Sequence, residues 1–320
     1  MRRGRLRSAF TLVETIMVIV VLGIVSSIGA ELIANVYKNY ILQRATHRAS
    51  LKTELAAQQI ANLLSYRIPN TTLARNPTSL NDTVLVTDPT HIHDNIHILL
   101  EWIGTDSDGF SAALLPPWNG FCDVNASTQS RVVTPGSQLS LADTIMSSLS
   151  NGEVSLGGPQ YPAIFFRDTI YSYDSASGNT VLYDVNACMG MTTSDRSCIS
   201  SVGRSGDENL TFQYQGSPNK KLITEHYKLA WTAYSIFQVP NGKGLFDLKL
   251  CYNYQPWENE RLTNSGSSPV CPGELSTIIT NVSVFKFAES GSTFRFKICA
   301  QENIGEDYNV TICKEKAVIL

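Results

Sequence analysis

Apolar and polar positions divide the chain into two unlike parts. From Phe10 to Ala30 the side chains are apolar or small, and the one charge is Glu14. A run of this length matches the ~20 residues that an α-helix needs to cross a bilayer. From Ala30 to Ile68 the chain has neither Gly nor Pro, and Pro69 supplies a stop. Ile33, Tyr37 and Ile41 recur every fourth residue, and Ala56, Ile60, Leu63 and Leu64 take up the pattern further on. Lys38, Arg44, Arg48 and Lys52 mark the polar side. This periodicity predicts one helix over residues 10–66, about 85 Å long at 1.5 Å per residue. Its first half (10–30) is apolar all round, and its second half (31–66) is amphipathic. Gly23, Gly29 and the Ser26-Ser27 pair are its weakest points.

After Pro69 the pattern changes to short β-like runs separated by Gly, Asn, Pro and Ser. Residues 96–104 predict an early strand and 164–166 begin another. Residues 180–185 return after a turn at 175–179. The clearest hairpin runs over 226–238, turns at 240–244 and returns through 245–254. A second runs over 282–288, turns at 289–292 and returns through 293–300. Segments 308–313 and 317–320 close the chain. Residues 139–149 are the best helical candidate outside the stem. Consecutive hairpins imply an antiparallel sheet laid across the long helix, an α+β fold. Strand–helix alternation is missing, which argues against a doubly wound enzyme fold.

Charge adds an orientation. Arg2, Arg3, Arg5 and Arg7 precede the apolar run, so the large polar remainder is expected outside the cytoplasm. The net charge is −3, and without those four arginines 21 basic residues face 28 acidic ones. That balance argues against a protein whose whole surface is a basic nucleic-acid platform and leaves room only for a local patch, so no direct nucleic-acid binding is expected. The seven cysteines (Cys122, Cys188, Cys198, Cys251, Cys271, Cys299 and Cys313) lack paired C-x-x-C spacing, which disfavours zinc. Outside the cytoplasm disulfides are the default. Pairing sequence neighbours, each bracketing a turn-rich loop, gives Cys188–Cys198, Cys251–Cys271 and Cys299–Cys313 and leaves Cys122 alone. Six cysteines still permit about 15 connectivities.

Catalytic chemistry is not indicated: no G-x-S-x-G, Walker or Rossmann signature occurs, and no enzyme is expected. His91, His93 and His97 share a face if they lie on one strand, and read as a solvent-facing edge. Asp106-Ser107-Asp108-Gly109 begins like a calcium loop, but Pro117 stands where an EF-hand needs Glu. Asp106 and Asp108 are thus weak metal candidates, and no cofactor is expected. Tyr227, Trp231, Tyr252, Tyr254 and Trp257 sit at strand spacing and read as core.

Ser8-Ala9-Phe10-Thr11-Leu12-Val13-Glu14, between the arginines and the apolar run, resembles the cleavage site of type IV prepilins and type II secretion pseudopilins. Together with the helix, the resemblance covers about the first fifth of the chain. It implies a leader (1–9) removed by a prepilin peptidase between Ala9 and Phe10, with N-methylation of Phe10. Most members carry Gly before the cut, whereas this chain has Ala9. Glu14 becomes the fifth mature residue, whose carboxylate pairs with the terminal amine of a neighbouring subunit. The implied architecture is pilin-like, with residues 67–320 as a β-rich head in the periplasm and the helix in the inner membrane. The implied partners are the peptidase, other major and minor pilins or pseudopilins, and an inner-membrane assembly platform. A head this large is similar to those of J-type pseudopilins and W-type minor pilins, which implies a tip or initiating role in a type IV pilus or a type II secretion pseudopilus. The polar loop 251–271 looks similar to the exposed disulfide-bounded loops of type IV pilins. Two other readings of the N-terminus stay open: a single-pass anchor that keeps its arginines and carries an adhesin or binding head, and an ordinary signal peptide cut near Ser27-Ile28-Gly29.

Overall fold

The computed structural model describes residues 11–319 except 69, 89–94, 113, 115, 167–170, 175–178, 183–187, 207, 217–222, 243, 267 and 305–307. The leader 1–9, Phe10, His91, His93 and most of the turn at 175–179 therefore lie outside the described residues. The chain forms two compact units, Met1–Leu51 with Gln301–Ile312, and Lys52–Ala300 with Cys313–Leu320.

Helix α1 (Leu12–Ser65) is followed by α2 (Ser107–Ser111) and α3 (Leu139–Leu149). The strands in chain order begin with β1 (Leu73–Asn76), β2 (Ser79–Leu85), β3 (Leu99–Ile103), β4 (Arg131–Val133), β5 (Ala163–Phe166), β6 (Tyr171–Asp174), β7 (Asn179–Leu182) and β8 (Ser200–Arg204). They continue with β9 (Thr211–Tyr214), β10 (Tyr227–Ala230), β11 (Ala233–Pro240), β12 (Phe246–Tyr254), β13 (Thr263–Ser265), β14 (Ser268–Val270), β15 (Glu274–Ser290), β16 (Thr293–Ile304) and β17 (Tyr308–Ile319). An eight-stranded sheet has the order β17-β16-β15-β12-β11-β3-β1-β2, and a five-stranded sheet has the order β10-β5-β8-β9-β4. The fold is α+β: a long helix on a large antiparallel sheet, with three disulfides.

In the second unit the amphipathic end of α1 docks through Thr53, Ala56, Ala57, Ile60 and Leu64, all buried at three- and four-residue spacing. They join a core with Leu100, Trp102, Ile236, Leu248, Phe285, Phe294 and Ile298 on one face of the eight-stranded sheet. The helix end is fastened by Arg67. Its guanidinium donates to the Leu64 carbonyl at 2.9 Å and to Glu289 at 2.6 Å, and stands 5.4 Å from the centre of the Phe294 ring. Glu54, on the solvent side of the same segment, meets Lys314 at 3.4 Å and Lys316 at 2.5 Å on β17.

Strand period decides the other face. Leu100 and Trp102 of β3 point to the helix, so Leu99 and Ile103 point away. They enter a second core with Phe237, Cys251, Tyr254 and Trp257, and with Ala163, Phe165 and Ala230 of the five-stranded sheet. The alternate residues of that sheet, Ile164, Phe166, Val202, Phe212 and Leu229, face a third core closed by Leu139, Ala142 and Met146 of α3. The second unit is thus layered as helix, sheet, sheet, helix.

Four sequence expectations change. The single strand over 226–238 is two strands: β10 belongs to the five-stranded sheet and β11 to the eight-stranded one. The chain steps between sheets at Trp231-Thr232, where the Thr232 carbonyl accepts from Gly104 and its hydroxyl accepts from the Asn253 N–H at 2.8 Å. The run has neither Gly nor Pro, so no breaker residue announced the step. The early strand begins at Leu99 rather than 96. Segments 308–313 and 317–319 belong to one strand, β17 (Tyr308–Ile319).

The fourth change concerns the loop 251–271. Its first part is core: Tyr254, Pro256 and Trp257 are buried, and the Trp257 indole N–H donates to the Tyr161 carbonyl at 2.8 Å. It also touches the loop closed by Cys188–Cys198. Gly190, at φ +75°, leaves no room for a Cβ, which would lie 2.7 Å from the Pro256 carbonyl oxygen. Arg261 donates to the Gly190 carbonyl at 2.7 Å. Cys251–Cys271 closes a 20-residue separation. Replacing both by Ala is expected to lower stability by about 3 kcal/mol. Thermal melting of the full chain in micelles checks this, and an unchanged midpoint would assign the hold to the Trp257 and Arg261 contacts alone.

Candidate functional site

The feature that cannot be explained by this chain alone is the first half of α1. Every large apolar side chain from Leu12 to Tyr40 is exposed, Leu12 at 77 % and Ile33 at 72 %. Soluble surfaces rarely expose contiguous apolar area on this scale, so such surface marks contact with a membrane or with other proteins. Residues 12–30 span about 28 Å of helix axis, close to the ~30 Å of a bilayer's hydrocarbon core. Among the described residues α1 is the helix long and apolar enough to cross a membrane. A Cβ on Gly23 or Gly29 would meet nothing within 4 Å, and the helix runs through both.

Glu14 lies in the first turn of α1. Thr11 precedes the helix, and its hydroxyl accepts from the Glu14 N–H at 3.3 Å. The Glu14 carboxylate accepts in return from the Thr11 N–H at 3.4 Å. This reciprocal pair has the form of a capping box, with the Glu14 N–H shared between the Thr11 hydroxyl and the Thr11 carbonyl at 3.0 Å. The negative charge also lies at the positive end of the helix dipole. Thr11-x-x-Glu14 is legible in the sequence, but the resemblance drew attention to the charge and not to the cap.

No family model, no curated protein and no solved structure matches this chain.

The remaining sequence candidates resolve into packing roles. Asp106 is buried and precedes α2, with one carboxylate oxygen accepting from the Gly109 N–H and the other from the Trp118 indole, both at 2.9 Å. Burial pushes its pKa above the usual carboxylate value. A Cβ at Gly109 would overlap that carboxylate, so the Asp-x-x-Gly spacing is what the cap requires. Asp108 lies in the first turn of α2. Among the described residues no group of three His, Cys, Asp or Glu side chains is placed to hold a metal. His97 stands 3.0 Å from Asp82 and just before β3. The disulfides join Cys188 to Cys198, Cys251 to Cys271, and Cys299 to Cys313, and Cys122 is a buried free thiol. Tyr227, Trp231, Tyr254 and Trp257 are buried, while Tyr252 is half-buried and donates to Glu274 at 2.8 Å.

Proposed function

We propose that this chain is a minor pilin or pseudopilin subunit. In this reading a prepilin peptidase removes residues 1–9, Phe10 becomes an N-methylated terminus, and the first half of α1 sits in the inner membrane with the head in the periplasm. An assembly platform then moves the helix from lipid into a type IV pilus or a type II secretion pseudopilus. The large head favours the tip or the initiating complex. The protein breaks no substrate bond.

One observation carries the reading: a stem apolar on every side with a single carboxylate in its first turn. An apolar helix needs a greasy surrounding, which a filament interior and a bilayer both supply. A charge within it needs a partner, because intramembrane ionisable groups are expensive and mark function by default. A terminal amine one turn away on a neighbour is such a partner, and opposite charges attract strongly at low dielectric.

The Thr11–Glu14 cap favours a second reading, in which the carboxylate serves its own helix and the chain is a single-pass anchor for a binding head. Mass spectrometry of the N-terminus from native cells separates the two, with methylated Phe10 expected for a subunit and an intact Met1 for an anchor. Glu14→Gln sharpens the comparison, since an amide keeps the capping geometry and removes the charge. The variant is expected to be cleaved and inserted as usual but to be lost from the assembled filament. Normal incorporation of Glu14→Gln would assign the side chain to the cap.

A further inference from the structure

We infer that a cavity of about 460 Å³ in the second unit, lined by Tyr66, Phe110, Ser111, Trp118, His226 and Lys228, is a saccharide site that takes a pyranose ring and prefers an acidic one. The inference does not depend on how the stem is used, because the cavity lies wholly in the second unit.

The size falls within the roughly 300–1,000 Å³ typical of small-ligand pockets. Its walls are aromatic. Tyr66 and Phe110 remain 54 % and 39 % exposed, although three buried cores lie within the same unit. Trp118, 3 % exposed, is packed beneath these rings and backs the cavity. It meets Phe110 edge-on at 5.0 Å between ring centres and Tyr227 at 6.0 Å. The Asp106 carboxylate holds its indole N–H, so the ring is fixed before anything binds. A preformed platform lowers the ordering cost of binding.

The rim carries unspent polar groups. The hydroxyls of Tyr66, Ser107 and Ser111 and the ammonium of Lys228 have no hydrogen-bond partner among the described residues, and all four residues line the cavity. Asn119, by contrast, is committed to Pro135, Phe121 and Thr134. A purely apolar ligand would leave the hydroxyls and the ammonium unanswered. A small inorganic ion would leave the rings uncovered. A pyranose offers both surfaces: a face of C–H groups, slightly positive against the negative π face, and a circumference of hydroxyls. Lys228 adds a cation, which a sugar carboxylate matches through a charge-assisted hydrogen bond.

The test uses the full chain in a detergent without a sugar headgroup, titrated by calorimetry with glucose, N-acetylglucosamine and glucuronate. Glucuronate is expected to bind saturably with Kd of about 1 mM, and glucose several-fold more weakly. Tyr66→Ala should weaken glucuronate about tenfold. Lys228→Ala should equalise glucuronate and glucose. Both side chains are exposed, so the melting temperature should hold. No saturable binding of any of the three sugars at about 10 mM overturns the assignment. So does unaltered affinity in Tyr66→Ala, and equal affinity of the unmodified chain for glucose and glucuronate removes the acidic preference. Loss of the sugar result leaves the N-terminal mass and the Glu14→Gln result untouched, so the two readings fail separately.

Discussion

Glu101→Ala is expected to destabilise the head by about 3–5 kcal/mol, because it strands a buried guanidinium. Glu101 and Arg75 are both nearly inaccessible, on the face of the eight-stranded sheet away from α1. One carboxylate oxygen meets Arg75 Nε, and the other accepts from the Tyr254 hydroxyl at 2.9 Å. Each terminal nitrogen of Arg75 donates to a carbonyl, one to Leu80 at 2.6 Å and the other to Met191 at 3.0 Å. Burial, followed by the neighbouring Glu101 charge, pushes the Tyr254 hydroxyl well above its ordinary pKa, so it stays a donor at any working pH. Removing the carboxylate leaves one cation without its counter-charge and one hydroxyl without an acceptor. For a head of this size the midpoint of thermal melting should fall by about 10 °C. The double variant Arg75→Met with Glu101→Leu should recover most of the loss, since it buries neither charge. A single variant as stable as the unmodified chain would mean that the pair contributes no buried charge.

Ile60→Ala is expected to cost about 2–5 kcal/mol, whereas Leu55→Ala should stay within about 0.5 kcal/mol. Both are branched aliphatic residues on the same helix. Ile60 is fully buried in the core that contains Leu100 and Trp102, and Leu55 is 70 % exposed. Truncating Ile60 removes buried methyl groups and leaves a cavity that the surrounding sheet fills only in part. Truncating Leu55 removes groups already in contact with solvent. Thermal melting of both variants in the same detergent makes the comparison. A loss at Leu55 as large as that at Ile60 would contradict docking of α1 through its Ile60 face.

Periodicity was legible wherever one face of an element is buried and the other is wet. The stem fits that condition, as does α3, whose bounds match the expected 139–149 and whose Leu139, Ala142 and Met146 face the core. Glycine and asparagine placed the two C-terminal hairpins, including the turn at Gly291 with φ +61°. The signal failed where both faces are buried. The stretch 229–237 is almost wholly buried and has no Gly or Pro, and nothing in it records which sheet each half joins. Charge gave no signal either: nothing in the local sequence marks Arg75, Glu101 and Asp106 as buried, yet all three are, and the first two pair across 26 positions. The cavity was invisible for the same reason, since Tyr66, Phe110, Trp118 and Lys228 are separated by more than 160 positions between first and last.

The amino-acid sequence alone determined the stem, its apolar first half, the lone acid at its start and the β-rich class of the head, because these follow from spacing along one element. Tertiary structure alone decided that the head has two stacked sheets, that the chain changes sheet at Trp231-Thr232, and that a buried ion pair ties β1 to β3. Those outcomes depend on which distant segments share a dry interior. Burial converts a charge or an aromatic ring from solvated surface into a structural partner, and local spacing does not carry that information.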